Sequence, residues 1–168
     1  LAKRVLSLKP KRILLLDSSE NAIYNLKLKI QRQNKLINTK FLCTNIRNKD
    51  EIEKLFKRFY PDIIFHAAAL KHVAICEDNI SEAVRTNVLA THFLSNMAEK
   101  YKSSCFVLIS TDKAVDPTSV MGLTKKSAEM IIQSKDKFTK NKSRFISVRF
   151  GNVLGSTGSV VPLFKKQI

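Results

Sequence analysis

The chain has 168 residues, 44% of them hydrophobic and 26% charged, with a formal net charge of +16 at pH 7. That length suits one globular domain able to bury a core, and the composition excludes a disordered chain. No apolar run approaches the ~20 residues that span a bilayer, no signal peptide is visible, and the lysines are scattered without an arginine-rich run or aromatic–basic interleaving, which argues against a nucleic-acid partner.

Residues 1–8 read as the later part of a helix, and 11–17 (KRILLLD) as a short strand ending in an acid. Ser18 or Ser19 is placed to cap the helix that follows over 20–33, which carries Ile23, Leu26 and Ile30 on one face. A strand over 40–44, a helix over 49–60 stopped by Pro61, and a strand over 62–66 (DIIFH) come next. An alanine-rich loop leads into a long helix over 80–101, then a strand over 104–110, a helix from Thr118 to about residue 135, and a strand over 144–150. A glycine-rich loop follows, and a further helix starts near Val160. Apolar strands alternating with helices predict an α/β fold, a doubly wound parallel sheet covered on both faces.

Such a domain normally opens with a strand and a G-x-G-x-x-G turn whose amides meet a pyrophosphate. The chain's four glycines all lie at or after Gly122, and it has no initiator Met. Both ends therefore read as cut, and the sheet is expected to be incomplete, lacking its first strand and the glycine-rich turn. Residues 1–168 then form a partial domain with unpaired backbone and an exposed apolar seam, poorly equipped to hold a dinucleotide tightly. The three cysteines, Cys43, Cys76 and Cys105, are far apart and match no metal-ligand spacing, so no metal site is expected. Cys43 and Cys105 fall in strands and read as buried thiols of a reduced, cytoplasmic protein.

The densest chemistry lies at the end of the fourth predicted strand. Ser110-Thr111-Asp112-Lys113 is followed by Met121 and Lys125, spaced i, i+4 on one helix face. A hydroxyl, a carboxylate and two lysines gather at a strand's C-terminal end, where open α/β sheets bind ligands. The plainer reading is a polar turn followed by a lysine-rich surface helix, and the short motif alone does not decide between them.

Six segments in order carry a resemblance: Leu16-Asp17-Ser18-Ser19-Glu20, His66-Ala67-Ala68-Ala69-Leu70-Lys71-His72, Thr86-Asn87-Val88, Ser110 to Val115 (STDKAV), Met121-Gly122-Leu123-Thr124-Lys125, and Arg149 to Ser156 (RFGNVLGS). The series resembles the polysaccharide-biosynthesis nucleotide-sugar dehydratases and epimerases of the extended short-chain dehydrogenase/reductase superfamily, and most of all the UDP-N-acetylglucosamine 4,6-dehydratases. The resemblance implies a Rossmann-like domain, a UDP-sugar substrate and NAD. An acid at Asp17 would accept bonds from the adenosine ribose and repel a 2′-phosphate, favouring NAD over NADP, although a helix cap explains Asp17 equally well. Ser18 and Ile46 would line the same cofactor region. Asn45 stands where the family has an acid against adenine, and Ala67, Ala68 and Ala69 fit the close passage of the cofactor. His66 reads as a strand-end residue satisfied by backbone. Lys71 would reach cofactor or substrate, Asn87 would brace the catalytic loop beside the cofactor, and Asn152 and Ser159, with Gly155 and Gly158, would meet the substrate. The full-length protein is expected to be a homo-oligomer, cytoplasmic or the cytoplasmic domain of a membrane-anchored chain.

Most of the superfamily uses a Tyr four residues before the Lys as proton acceptor. Met121 occupies that position, and a thioether cannot take a proton. By resemblance the work passes to its neighbours. NAD oxidises C4 of the sugar, Lys113 removes the C5 proton, Asp112 protonates the departing 6-hydroxyl, and hydride returns to C6. Thr111 would bond the 4-oxygen, and Lys125 would hold the nicotinamide ribose and lower nearby pKa values. Asp112 must rise in pKa and Lys113 must fall; desolvation favours both shifts and their mutual attraction opposes both. A UDP-sugar 4-epimerase would share the first oxidation and return hydride to C4. A non-catalytic remnant or interaction module is the reading of another class.

Overall fold

The computed structural model describes residues 1–32 and 38–151. The chain divides into two compact units, Leu1–Leu55 and the residues from Phe56 onward.

The first unit is built on two parallel strands. Helix α1 (Ala2–Ser7) precedes β1 (Arg12–Asp17), and α2 (Glu20–Gln31) carries the chain toward β2 (Asn38–Cys43). The strands pair in parallel from Arg12 opposite Asn38 to Asp17 opposite Cys43. Of the two candidate caps, Ser19 is the one used: its Oγ accepts from the Ala22 amide at 3.2 Å, satisfying an orphan donor of the first turn. Helix α3 (Lys49–Phe59) follows, with Asp50 and Glu51 in its first turn and Lys57 and Arg58 in its last, each sign matching the helix dipole.

The second unit holds three parallel strands in the order β3 (Ile63–His66), β4 (Cys105–Thr111), β5 (Arg144–Phe150). His66 stands opposite Leu108, and Thr111 opposite Phe150. Among the described residues β1 pairs only with β2, and β3 only with β4, so each leaves one edge unpaired. The side chains of Ile63 and Phe65 on β3 are exposed.

Three features depart from the sequence expectations. Helix α4 (Val73–Asp78) forms where the alanine-rich loop was expected to continue. The long helix expected over 80–101 is present and continuous from Ile80 to Lys100, but its middle is π-helical: α5 (Ile80–Ala83), a π segment over Val84–Leu89, and α6 (Ala90–Lys100). The wider turn accommodates Asn87, which is buried and bonded sideways to a neighbouring segment. The cover of the second sheet is also one-sided. Phe106, Leu108 and Phe145 are buried on the face that α6 and α7 (Val120–Phe138) cover, whereas Ile63, Phe65, Ile146 and Val148, on the alternate parity, are exposed. The expectation of two-sided cover does not hold among the described residues, because α6 and α7 pack against β4 and β5 on one side.

The cysteines also sort differently. Cys76 is buried, Cys105 half-buried and Cys43 exposed, so the buried thiol lies on α4 and not on β2. Cys43 pairs with Asp17 at the last register position of its two-stranded sheet.

Candidate active site at the end of the fourth strand

Thr111 ends β4 in extended conformation and starts a single 3₁₀ turn over Asp112–Ala114. The turn folds Asp112 Oδ1 back onto three donors: the Thr111 hydroxyl at 2.8 Å, the Lys113 amide at 2.9 Å and the Lys113 ammonium at 3.2 Å. The hydroxyl of Thr111 and the donors of Lys113 hold the Asp112 carboxyl below its ordinary pKa. Attraction therefore wins over desolvation here, the opposite of what a general acid requires, because the pair stands in water: the Lys113 and Asp112 side chains are 45% and 56% exposed.

Beneath this turn lies the start of α7. Ser119 Oγ caps the helix by accepting from the Gly122 amide at 3.1 Å, and the Glu77 carboxylate of α4 accepts from the Val120 amide at 2.8 Å. Gly122 packs so close that a Cβ would stand 2.5 Å from the Lys113 carbonyl oxygen and 3.0 Å from Pro117 Cβ. Glycine is required here by contact, since real Cβ atoms do not approach backbone oxygen that closely.

Met121 is only 3% exposed and belongs to an apolar cluster with Cys76 and Ala83, against which Leu70 and Val120 pack. One turn later Lys125 is also buried, at 7% exposure, and its Nζ donates to the Ile109 carbonyl at 2.6 Å. Burial pushes the Lys125 pKa down to about 8, with the Glu129 carboxylate pulling it back up. A lysine so shifted can change protonation near neutral pH.

A second network braces the loop after β3. Asn87 accepts from the Leu70 amide at 2.8 Å and donates to the Leu70 carbonyl and to Thr124 Oγ1, each at 3.0 Å. Thr124 in turn donates to the Met121 carbonyl at 2.9 Å. Both amide hydrogens of Asn87 are engaged, so this side chain acts by shaping the loop against α7. His66 was expected to be satisfied by backbone. Its Nε2 instead meets Thr91 Oγ1 at 2.8 Å, while Thr91 donates to the Asn87 carbonyl at 2.7 Å. Burial, helped by the positive charge of Lys125, pushes the His66 pKa down to about 3, so the ring is neutral. Ala67 and Ala68 are exposed beyond the end of β3, Ala69 is half-buried, and Lys71 is exposed.

In the first unit, Asp17 is exposed at the C-terminal end of β1 and its Oδ1 accepts from the Ser19 amide at 2.8 Å. The helix-start role of Asp17 is therefore real, and one carboxylate oxygen performs it. Ser18 is exposed beside it, and its carbonyl meets the Cys43 thiol at 3.6 Å. Asn45 Oδ1 accepts from the Arg47 amide at 3.0 Å, and Ile46 is half-buried. Asn152 and Ser159, with Gly155 and Gly158, lie outside the described residues.

Thr111, Asp112 and Lys113 thus meet at one strand end, while Met121 and Lys125 lie on the helix packed below. Sequence reasoning missed Glu77, Thr91, Glu129 and Arg149. The last two carried a signal: Glu129 is one helical turn past Lys125, and Arg149 has the same parity in β5 as buried Phe145. A groove of about 520 Å³ between α6 and α7, lined among others by His92, Glu99, Met130, Lys135 and Phe138, contains none of the candidate site residues. Among the described residues no helix is long and apolar enough to cross a membrane, and no cluster of His, Cys, Asp and Glu could hold a metal ion.

The model of one family, described as polysaccharide biosynthesis protein, matches residues 1–168. The chain belongs to this family. Its members thereby share the expected nucleotide-sugar dehydratase and epimerase lineage and its Rossmann-like fold. Over 169 residues the chain is 42% identical to a probable polysaccharide biosynthesis protein EpsC of Bacillus subtilis, covering 100% of this chain and 28% of that protein. It is 41% identical over 130 residues to a UDP-glucose 4-epimerase of Rickettsia canadensis, covering 77% of this chain and 38% of the relative. The X-ray structure of Pen from Bacillus thuringiensis superposes with a TM-score of 0.90 at 38% identity, covering 99% of this chain and 50% of that one. The chain therefore spans half or less of the length of these similar proteins.

Proposed function

We propose that the full-length protein is an NAD-dependent nucleotide-sugar 4,6-dehydratase of the UDP-N-acetylglucosamine type, acting in surface polysaccharide biosynthesis. The observation that carries this reading is the burial of Met121 in an apolar cluster, with Asp112 and Lys113 side by side at the strand end above it. The position that holds a phenol in most of the superfamily is filled by packing, and the groups left to move protons are the carboxylate and the amine.

The residues of the second unit suit part of a nicotinamide cofactor: the small exposed Ala67 and Ala68 suit a close passage, and buried Lys125 suits a ribose. In the first unit, taken by itself, the exposed Asp17 carboxylate is a group that can accept from a ribose. NAD, when bound, supplies the reversible oxidation. The chain's own residues supply the rest. Asp112 and Lys113 as an ion pair and as a neutral pair contain the same number of protons, and differ by one proton moved along the 3.2 Å contact. A substrate that displaces water from this pair penalises the two charges and favours neutral acid beside neutral amine. In that form Lys113 can accept the C5 proton and Asp112 can deliver one to the leaving 6-hydroxyl. Thr111, whose hydroxyl donates to Asp112, can turn it to the sugar 4-oxygen. Lys71, Asn152 and Ser159 are the proposed substrate contacts, and the protein acts on the cytoplasmic side as a homo-oligomer.

The test is incubation of the full-length protein with UDP-N-acetylglucosamine, following loss of water by mass and the 4-keto-6-deoxy product by NMR. A 4-epimer formed without loss of water would replace this reading with the epimerase one, which the similarity to the Rickettsia protein supports. No conversion together with no NAD binding would leave the non-catalytic reading.

A further inference from the structure

Glu129 is the most deeply buried acidic side chain among the described residues, at 1% exposure, and it lies one helical turn past Lys125 on α7. Its two carboxylate oxygens are taken by one guanidinium: Arg149 Nε donates to Oε1 at 2.8 Å and Nη2 to Oε2 at 2.6 Å. A planar, two-pronged bond of this kind fixes orientation as well as charge. Arg149 belongs to β5, two residues before Gly151, where the described chain leaves the sheet toward the segment containing Asn152. Ser110 of β4 lies against the same carboxylate, close enough to favour its charged form, although its buried hydroxyl makes no bond of acceptable geometry. Lys125 in turn donates to the carbonyl of Ile109, the residue before Ser110. One helix face and the ends of two strands thus converge on a single buried carboxylate.

We propose that the Glu129–Arg149 pair is a positioning element for Lys125: it fixes the ammonium against the Ile109 carbonyl and ties that geometry to the end of β5. The proposal rests on the reading of Lys125 as the cofactor-holding lysine. The charged and titratable groups facing this cluster are Lys125, Glu129 and Lys126 on α7, Arg149 on β5, and His66 on β3. His66 is neutral, and the charge that acts on Lys125 is the Glu129 carboxylate one turn away, which the Arg149 guanidinium holds in place and is positioned to offset. Burial acts to raise the Glu129 carboxyl, and the two bonds and the charge of Arg149 overcome it, with Ser110 close by favouring the same form, so Glu129 is ionised.

The two halves of the pair therefore act on Lys125 with opposite sign. Glu129→Gln removes the attractive charge and leaves Arg149 unbalanced, so the Lys125 titration should move to lower pH, by about one unit. Arg149→Met leaves the carboxylate unbalanced, so the titration should move to higher pH by a similar amount. Glu129→Gln with Arg149→Met removes both charges and should return the titration close to the starting value. The readout is the 13Cε resonance of Lys125 in full-length protein labelled on lysine, assigned by its loss in Lys125→Met. This titration needs no cofactor. The pH profile of turnover is measured in parallel and should shift with it. Single variants that shift in the same direction, or do not shift, overturn the proposal; if either single variant fails to fold, a double variant displaced by a full unit overturns it. Opposite shifts in a protein that binds no NAD would uphold the electrostatic coupling and sink the functional reading instead.

Discussion

Two ion pairs lie near one strand end and differ in almost every physical respect. Asp112 and Lys113 meet in water through a single 3.2 Å contact, on a turn of three residues. Glu129 and Arg149 meet through two short bonds, with the carboxylate sealed between a helix and a strand. Exposed pairs contribute little to stability and rearrange readily, whereas a buried pair resists change because breaking it strands a charge. The molecule thus keeps an exposed, easily rearranged pair above a fixed frame, and the proposed reactivity and the rigidity fall to different residues.

The sharpest way to break this division is to remove the movable pair. Lys113→Met or Asp112→Asn in the full-length protein should lower turnover by ~10²–10⁴-fold while leaving the thermal unfolding midpoint unchanged. A matching loss of folding would show that the exposed pair is part of the frame. On the fixed side, acid should act first on the buried histidine. His66 has a folded pKa of about 3 against an ordinary 6.5. The unfolded chain binds the extra proton, so stability is complete above about pH 6.5 and is lost as pH falls toward 3. The loss is on the order of 4 kcal/mol, and urea titrations of wild type and His66→Asn across that window should diverge accordingly.

Arg149→Met should follow in size, because an uncompensated buried carboxylate at Glu129 costs about 3 kcal/mol; equilibrium denaturation reads this, and the double variant that also replaces Glu129 by Gln should recover part of the loss. Lys125 carries the same kind of depressed value, about 8 against 10.5, so stability is complete only above about pH 10.5 and falls as pH drops to 8. That part, on the order of 3 kcal/mol, should vanish from the alkaline stability profile of Lys125→Met. Smallest is Gly122→Ala, where the added methyl forces apart the helix start and the Lys113 carbonyl. It should cost about 1–3 kcal/mol and reduce turnover through the displaced turn, as denaturation and kinetics on one preparation would show.

The alternation of strands and helices was legible because each strand is a short apolar run bounded by polar residues, as in 104–110 and 144–150. The cap at Ser19 was legible as one of two hydroxyls beside an acid. The π-helical middle of the helix over 80–101 was not, since the burial of Asn87 there depends on its bonds to Leu70 and Thr124, which lie far away in sequence. One-sided cover of the second sheet was also hidden, because Ile63 and Phe65 look like core residues whether or not anything lies over them. At the site, Thr111, Asp112, Lys113 and Lys125 could be named from adjacency in sequence. Glu129 and Arg149 carried only the weaker signals of helical turn and strand parity, because their meeting depends on the packing of β5 against α7. The direction of the Asp112 shift was equally hidden, since it turns on how much water reaches the pair.

The first turn of α7 carries a consequence for anions. Free amides at a helix start ordinarily attract phosphate. Here the Val120 amide already holds the Glu77 carboxylate and the Gly122 amide already holds Ser119 Oγ. An internal carboxylate and a hydroxyl thus occupy two donors that a helix start would otherwise offer to a phosphate, and α7 begins with its own charge already seated.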